Sequence, residues 1–372
     1  MAVGTGRASD EIQPGVVGTQ PLVSVIINNY NYGRFLRSAI ESVLGQSYSK
    51  LELIVVDDGS TDSSRTILET YGDLVITILK ENGGQASALN AGFARCHGEI
   101  VFFLDSDDVL LPTIVQHVVR VFEADAGLAK VHCRMAVIDV FGRHTSIERP
   151  PQHITMLDGD LRRHYLTFPD DVWRLPTSGN AFPAWLLRRI CPIPEAEYLV
   201  CADTYFTHLA PLFGRVQFLD DVGACYRLHG GNSYEVAGTM LNLTRIRRDI
   251  TLSCQTHKYL SRFAHAQGFA PAPNPAHEIL SVSYIVNRMI SVKLQPMRHI
   301  VPGDTPARLL VLGIQASMRR FDVSPPLKGM YILWFALMAL APYPIAWRLS
   351  VWMVFPQTRP YMNKLLKVLQ RG

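Results

Sequence analysis

The sequence predicts an α/β fold with a mostly parallel central sheet and an α-helical region appended on its C-terminal side. Three observations carry this. Short β-branched runs alternate with stretches of helical period, the rhythm of βαβ units. Each of the first runs stops in a polar or acidic loop, and the fourth, Val101-Phe102-Phe103-Leu104, runs straight into Asp105-Ser106-Asp107-Asp108. Beyond about residue 235 the alternation gives way to helical periodicity alone.

The run Leu22 to Ile27 follows Pro21 and stops at Asn28-Asn29-Tyr30-Asn31-Tyr32-Gly33, which is turn chemistry after a buried strand. Phe35, Leu36, Ala39, Ile40, Val43 and Leu44 then recur at helical spacing, and Gly45 is the expected stop. A second strand, Leu51 to Val56, ends in Asp57-Asp58-Gly59-Ser60-Thr61-Asp62, where Asp62 reads as the N-cap of a helix over Ser63 to Tyr71. A third, Val75 to Leu79, leads to Glu81-Asn82-Gly83-Gly84-Gln85 and a helix through Asn90-Ala91-Gly92. The paired glycines permit close backbone approach, and the helix N-terminus is expected to face the crevice.

The fourth strand then delivers its acids to the edge where open α/β sheets bind ligands, outside the carboxyl ends of the strands. Carboxylates in this setting suit a hard divalent cation, Mn²⁺ or Mg²⁺, that keeps positions open for water and phosphate oxygens. Helix capping by Asp105 or Asp108 is the plainer reading of the same residues. The first strand is not followed by Gly-x-Gly-x-x-Gly, and the Walker phosphate loop is absent too.

The succession Val23-Ser24-Val25-Ile26-Ile27, Val56-Asp57-Asp58-Gly59-Ser60-Thr61-Asp62, Asn82-Gly83-Gly84 with Asn90-Ala91-Gly92, and Leu104-Asp105-Ser106-Asp107-Asp108 resembles family 2 glycosyltransferases of the GT-A fold. The resemblance implies a Rossmann-like nucleotide-diphospho-sugar transferase domain. It also implies an inverting enzyme that takes a sugar from a nucleotide diphosphate donor, a UDP-sugar, with a divalent metal. Asp57 and Asp58 would accept hydrogen bonds from uracil and ribose, since an ionised carboxylate only accepts; a turn-capping role for Asp58 is the alternative. Gly84 and Gln85 would shape the wall beside the nucleotide. Asp105 and Ser106 would contact the donor and Asp107 the metal. The family usually carries Pro-Thr or Pro-Ala where this chain has Asn28-Asn29, so a base or ribose contact from Asn29 rests on position alone.

Further on, Leu128 to Val140 reads as strand and turn, and Arg149 to Trp173 as a long loop or short helices of the kind that bind acceptors. Ser178-Gly179-Asn180 resembles the family segment that lines the donor sugar. Asp203 falls at the second position of the family's acidic pair, whose first member here is Ala202, and so inherits the role of general base alongside that of N-cap. Cys225-Tyr226-Arg227-Leu228-His229-Gly230-Gly231-Asn232 resembles the family's Tyr-Arg-x-His-x-x-Asn segment and makes His229 a further metal ligand or diphosphate contact.

The expected organisation is a flexible tail over 1–20, a GT-A catalytic domain over 21–235, a helical appendage over 236–327 divided by a Pro-rich linker from Ala270 to Pro275, and an apolar and basic segment over 328–372. Gly329 to Trp347 is free of charge. It stands open as an interfacial or re-entrant helix, a span, or a core helix, with Tyr331, Trp334, Tyr343 and Trp347 as interfacial anchors and Arg348, Arg359, Lys364, Lys367 and Arg371 for anionic lipid. The net charge of +4, with acids and bases interspersed, excludes the basic stripe of a nucleic-acid protein. Six cysteines without zinc spacing read as reduced thiols, and the apolar-poor first twenty residues do not read as a secretory signal. Together these point to a cytoplasmic enzyme, peripheral at the inner face of the cell membrane, acting on a glycan or lipid-linked acceptor in envelope or polysaccharide synthesis. A catalytically inactive sugar-nucleotide module and a nucleotidyltransferase are the rival classes.

Overall fold

A computed structural model describes residues 20–152, 154, 156–232, 241–269 and 279–355. The expected N-terminal tail (bar Gln20), the Ala270 to Pro275 linker and the basic residues from Arg359 onward lie outside the described residues.

The elements run β1 (Val23–Asn29), α1 (Gly33–Leu44), β2 (Leu51–Asp58), α2 (Ser64–Glu69), β3 (Ile76–Lys80), α3 (Gln85–Ala94), β4 (Ile100–Asp105), β5 (Val109–Leu110), α4 (Ile114–Ala124), β6 (Leu128–Ile138) and β7 (His144–Arg149). Then come α5 (Arg162–Thr167), β8 (Asn180–Pro183), α6 (Ala184–Ile190), α7 (Asp203–Leu209), β9 (Arg215–Arg227), α8 (Leu243–Ala266), α9 (Val282–Leu294), α10 (Pro306–Arg319), α11 (Pro325–Leu340) and α12 (Tyr343–Val354). The sheet order is β3-β2-β1-β4-β8-β6-β9-β5, with β7 on β6. The four motif-bearing strands pair in parallel, as do β6 and β9, while β8 inserts antiparallel between β4 and β6.

Period-two side chains on the first strands feed two cores. Val25, Ile27, Leu53, Val55, Phe102 and Leu104 point to the face covered by α1 and α4, and Ile26, Ile54, Val56, Val101 and Phe103 to the face covered by α3, α6 and α7. Both faces are therefore dry, which is why these strands read as unbroken apolar runs. The same cover makes β6 buried at every position rather than on alternate ones.

The C-terminal helices make a third core from Ile246, Ile250, Ile285, Met289, Leu309, Leu312, Trp334, Phe335, Met338 and Ala346. The helix α8 joins it to the sheet, since Leu252, Leu260 and Ala264 pack into the second sheet core. The charge-free run after Lys328 is two helices broken at Pro342, and it shares this core with α9 and α10. No helix among the described residues is long and apolar enough to cross a membrane.

Candidate active site

Parallel register sets the first contacts. Asn28 lies opposite Asp105, and Asn29 opposite Asp57, so amides and carboxylates alternate along the edge where three strands end. Outside that edge is a cavity of about 920 Å³ lined by Asn28, Asn29, Asp58, Gln85, Asp105, Ser106, Asp107, Arg174, Thr177 and Asp203, among others. Asn28 Oδ1 and Asn29 Oδ1 are buried at this wall and accept no hydrogen bond among the described residues, so each is left without a donor.

The Asp57-Asp58 turn is braced from within. Asp57 is fully buried and accepts from Asn29 Nδ2 at 3.1 Å, Ser60 N at 3.1 Å and Arg65 Nε at 3.1 Å. Asp58 reaches the cavity wall but accepts from Lys80 Nζ at 2.6 Å, Gly83 N at 3.0 Å and Gly84 N at 2.8 Å. The expected N-terminus of α3 is also engaged: Gln85 N and Ala86 N donate to Leu199 O and Tyr198 O at 2.9 and 3.3 Å. Those first amides are therefore not aimed at a ligand, because the 198–202 loop folds over the helix end. Gly84, at φ +85°, stands so close to that loop that a Cβ would lie 2.8 Å from Leu199 O.

Gln85 ties the two sides of the cavity together. Its Nε2 donates to Asp105 Oδ1 at 3.1 Å, and its Oε1 accepts from Ala202 N at 3.0 Å. Ala202 itself is buried in the second core, so the position where the family carries an acid is turned away from water here. Asp203 opens α7 and lines the cavity. Burial raises its carboxyl above the usual range, and the Arg174 guanidinium opposes that shift. Asp105 is pushed up to about 7, first by burial and then by Asp107 and Asp203.

The acidic loop after β4 is held from behind. Asp108 is buried, accepting from Ser178 Oγ at 2.7 Å and Arg227 N at 2.9 Å, and burial drives its carboxyl well up. Ser178 Oγ also accepts from Asp105 N at 3.1 Å. Asn180 Nδ2 donates to Pro176 O at 2.7 Å. Ser178, Gly179 and Asn180 are thus buried supports behind the wall, and Leu175, Pro176 and Thr177 just before them reach the cavity. Arg227 fixes the loop from β9, with Nε 2.7 Å from Asp107 O.

Asp107 is left facing His229, whose Nε2 lies 2.9 Å from Asp107 Oδ2. Gly231 N donates to His229 Nδ1 at 3.2 Å, which places the ring proton on Nε2, where Asp107 accepts it. Among the described residues no group of three acidic, histidine or cysteine side chains is arranged around one point for a metal. The Asp107 carboxylate fits Mg²⁺ or Mn²⁺ nonetheless, because these ions take one or two protein ligands and fill the rest with water and phosphate, and His229 would join it on giving up the Nε2 proton.

Trp173 and Arg174 are among the lining residues not singled out from sequence. Trp173 is half exposed at the mouth. Arg174 donates to His208 Nε2, and His208 can accept because its Nδ1 donates to Thr204 O at 2.6 Å. The signal in the sequence was only a Trp-Arg pair at the end of an irregular stretch.

Residues 24–190 match the model of glycosyl transferase family 2. An uncharacterized glycosyltransferase of Nostoc sp. is 34% identical over 251 residues, covering 66% of this chain and 77% of that protein. One of Rickettsia typhi is 30% identical over 258 residues, covering 66% and 79%. In architecture the chain is similar to residues 1–349 of S. aureus TarS, solved in complex with UDP-GlcNAc, with a TM-score of 0.52, 18% identity, and 91% and 93% of the two chains covered. At that identity the likeness concerns the fold.

Proposed function

This chain belongs to glycosyl transferase family 2 and is a glycosyltransferase of GT-A fold, and from that premise we propose that it is an inverting enzyme using a UDP-sugar. The observation that carries the proposal is the meeting of Asp105, Asp107 and Asp203 in one cavity at the carboxyl ends of parallel strands. UDP-GlcNAc in the similar TarS fold supports a nucleotide-sugar donor for this one.

The nucleotide is assigned to the β1 and β2 side, where the acceptors of Asn28 and Asn29 meet base and ribose donors. Asp57, Asp58, Gly84, Ser178, Gly179 and Asn180 serve by fixing that wall, and Gln85, Asp105 and Ser106 by lining it. Asp107 and His229 would hold Mn²⁺ or Mg²⁺, which supplies positive charge to the departing diphosphate. Asp203 takes the proton from the acceptor hydroxyl as its oxygen attacks the anomeric carbon from the face opposite the diphosphate. Arg174 favours its charged form against the effect of burial. The acceptor is a glycan or a lipid-linked glycan of envelope or polysaccharide synthesis, met at the inner surface of the membrane.

Screening UDP-, GDP- and dTDP-sugars by thermal shift, with Mn²⁺ and with chelator, tests this reading. A ligand that binds only the folded state raises the midpoint. A rise confined to UDP-sugars with metal is the expected result, and no rise with any sugar nucleotide overturns it.

A further inference from the structure

The bundle core takes only one side of α11. Trp334, Phe335 and Met338 turn inward, while Leu333, Leu337 and Leu340 are 59%, 47% and 87% exposed. Positions 333, 337 and 340 recur at helical spacing and form one stripe. The stripe continues into the start of α12 with Tyr343 and Ile345, and the Tyr343 ring stacks on Trp347 with centroids 6.4 Å apart. An exposed run of this kind, apolar with an aromatic pair at one end, is unusual on a surface that meets only water.

Charge decides what meets it. The last acidic residue of the sequence is Asp322, and after it come six bases, Lys328, Arg348, Arg359, Lys364, Lys367 and Arg371. A two-fold contact between copies would bring together surfaces whose described charges after Asp322, Lys328 and Arg348, are all positive. An anionic bilayer complements them, with the apolar side chains in the acyl boundary, Tyr343 and Trp347 at headgroup level and Lys328 and Arg348 toward the phosphates. The helix α11 has 16 residues, about 24 Å at 1.5 Å each, too short for a hydrocarbon core of about 30 Å.

We propose that the Leu333-Leu337-Leu340 face, with Tyr343 and Ile345, lies in the plane of an anionic lipid surface while the opposite face remains in the protein core. This deepens the membrane part of the reading above and is independent of the chemistry in the cavity.

The test mixes full-length protein with vesicles of equal parts phosphatidylcholine and phosphatidylglycerol, or of phosphatidylcholine alone, and pellets them. The wild type should pellet with the mixed vesicles, and a variant with Leu333→Gln, Leu337→Gln and Leu340→Gln should bind at least about tenfold more weakly. Thermal midpoint and UDP-dependent stabilisation should be retained; if the triple variant does not fold, Leu340→Gln alone is used, since that side chain is almost wholly exposed. Wild type that stays in the supernatant, or a folded variant that pellets equally, overturns the proposal. So does a wild-type dimer that ignores vesicles and becomes monomeric in the variant, because the stripe is then a contact between copies. Loss of UDP binding with vesicle binding intact overturns the donor reading and leaves this one standing.

Discussion

His229 Nε2 stands 2.9 Å from Asp107 Oδ2 although the two residues are 122 positions apart in the chain. One arrives just after β4 and the other just after β9, and Arg227 at the end of β9 holds the acidic loop, its Nε donating to Asp107 O and its backbone N to Asp108 Oδ1. Replacing Asp107 with Ala should remove Mn²⁺-dependent stabilisation by UDP while lowering the melting midpoint only modestly, since the partly buried carboxylate accepts from His229 and from no group of the sheet cores. Titrating UDP with and without chelator measures this. Equal UDP affinity in both conditions in the wild type would end the metal assignment.

Phe335 is fully buried against Gly313, where a Cβ would come within 2.5 Å of its ring, and its neighbour Trp334 donates to Leu349 O at 3.0 Å. The charge-free segment is therefore partly a core element, and cutting the chain before Lys328 should open the bundle rather than release an intact soluble domain. Phe335→Ala should cost about 3–5 kcal/mol by chemical denaturation, the range for emptying a large aromatic site. A loss below about 1 kcal/mol would show that α11 is not held by this core.

What the sequence disclosed was whatever local pattern determines. The buried strands, the loops at their ends and the acids after Leu104 were legible because burial on two faces leaves a continuous apolar signature. The direction of a single side chain was not. Ser178 and Asn180 sit in a recognisable segment, yet they turn inward to brace Asp108 and the Pro176 carbonyl, and nothing in three adjacent letters says so. The Asn90-Ala91-Gly92 motif shows the same limit. Asn90 clamps the 193 backbone with both side-chain atoms at 2.8 Å, and Gly92 lets α3 lie on β1.

That close approach yields its own prediction. A Cβ at Gly92 would fall 2.4 Å from Ile26 Cγ2 and 3.1 Å from Val56 Cγ2, so the helix must lift off the sheet. Gly92→Ala should destabilise by about 1–3 kcal/mol through overpacking, despite the better helix propensity of Ala. Denaturation midpoints at unchanged m-value would measure it, and a stabilised variant would mean that the helix shifts freely.

Asp203 is where packing sets chemistry. The groups facing its carboxylate are Arg174 from the segment before Thr177, Asp105 from β4, and the Thr204 amide from its own helix. Arg174 is in turn positioned by His208, and the Lys130 ammonium of β6 is pushed down to about 7 by burial and then by Arg174. Burial disfavours the anion, so the carboxyl titrates above the usual Asp range, and the base loses activity as pH falls through that raised value. Removing the opposing guanidinium disfavours the anion further. Arg174→Gln should therefore move the acid limb of kcat/KM to higher pH, with Arg174→Lys restoring most of it, while affinity for UDP stays within about threefold, less than about 1 kcal/mol. Asp203→Asn should lower transfer by about 10² to 10⁴ with UDP affinity likewise kept, the loss typical of a positioned base. The expected N-cap role is not met, because Ala202 is the cap of α7 and Asp203, its first residue, makes no side-chain cap bond; Asn keeps the shape of the side chain, so a folding defect does not explain such a loss. If the Asn variant transfers sugar at the wild-type rate, the base lies elsewhere. If it is inactive but the Arg174→Gln profile keeps its acid limb, Asp203 is the base and its charge is held by other groups.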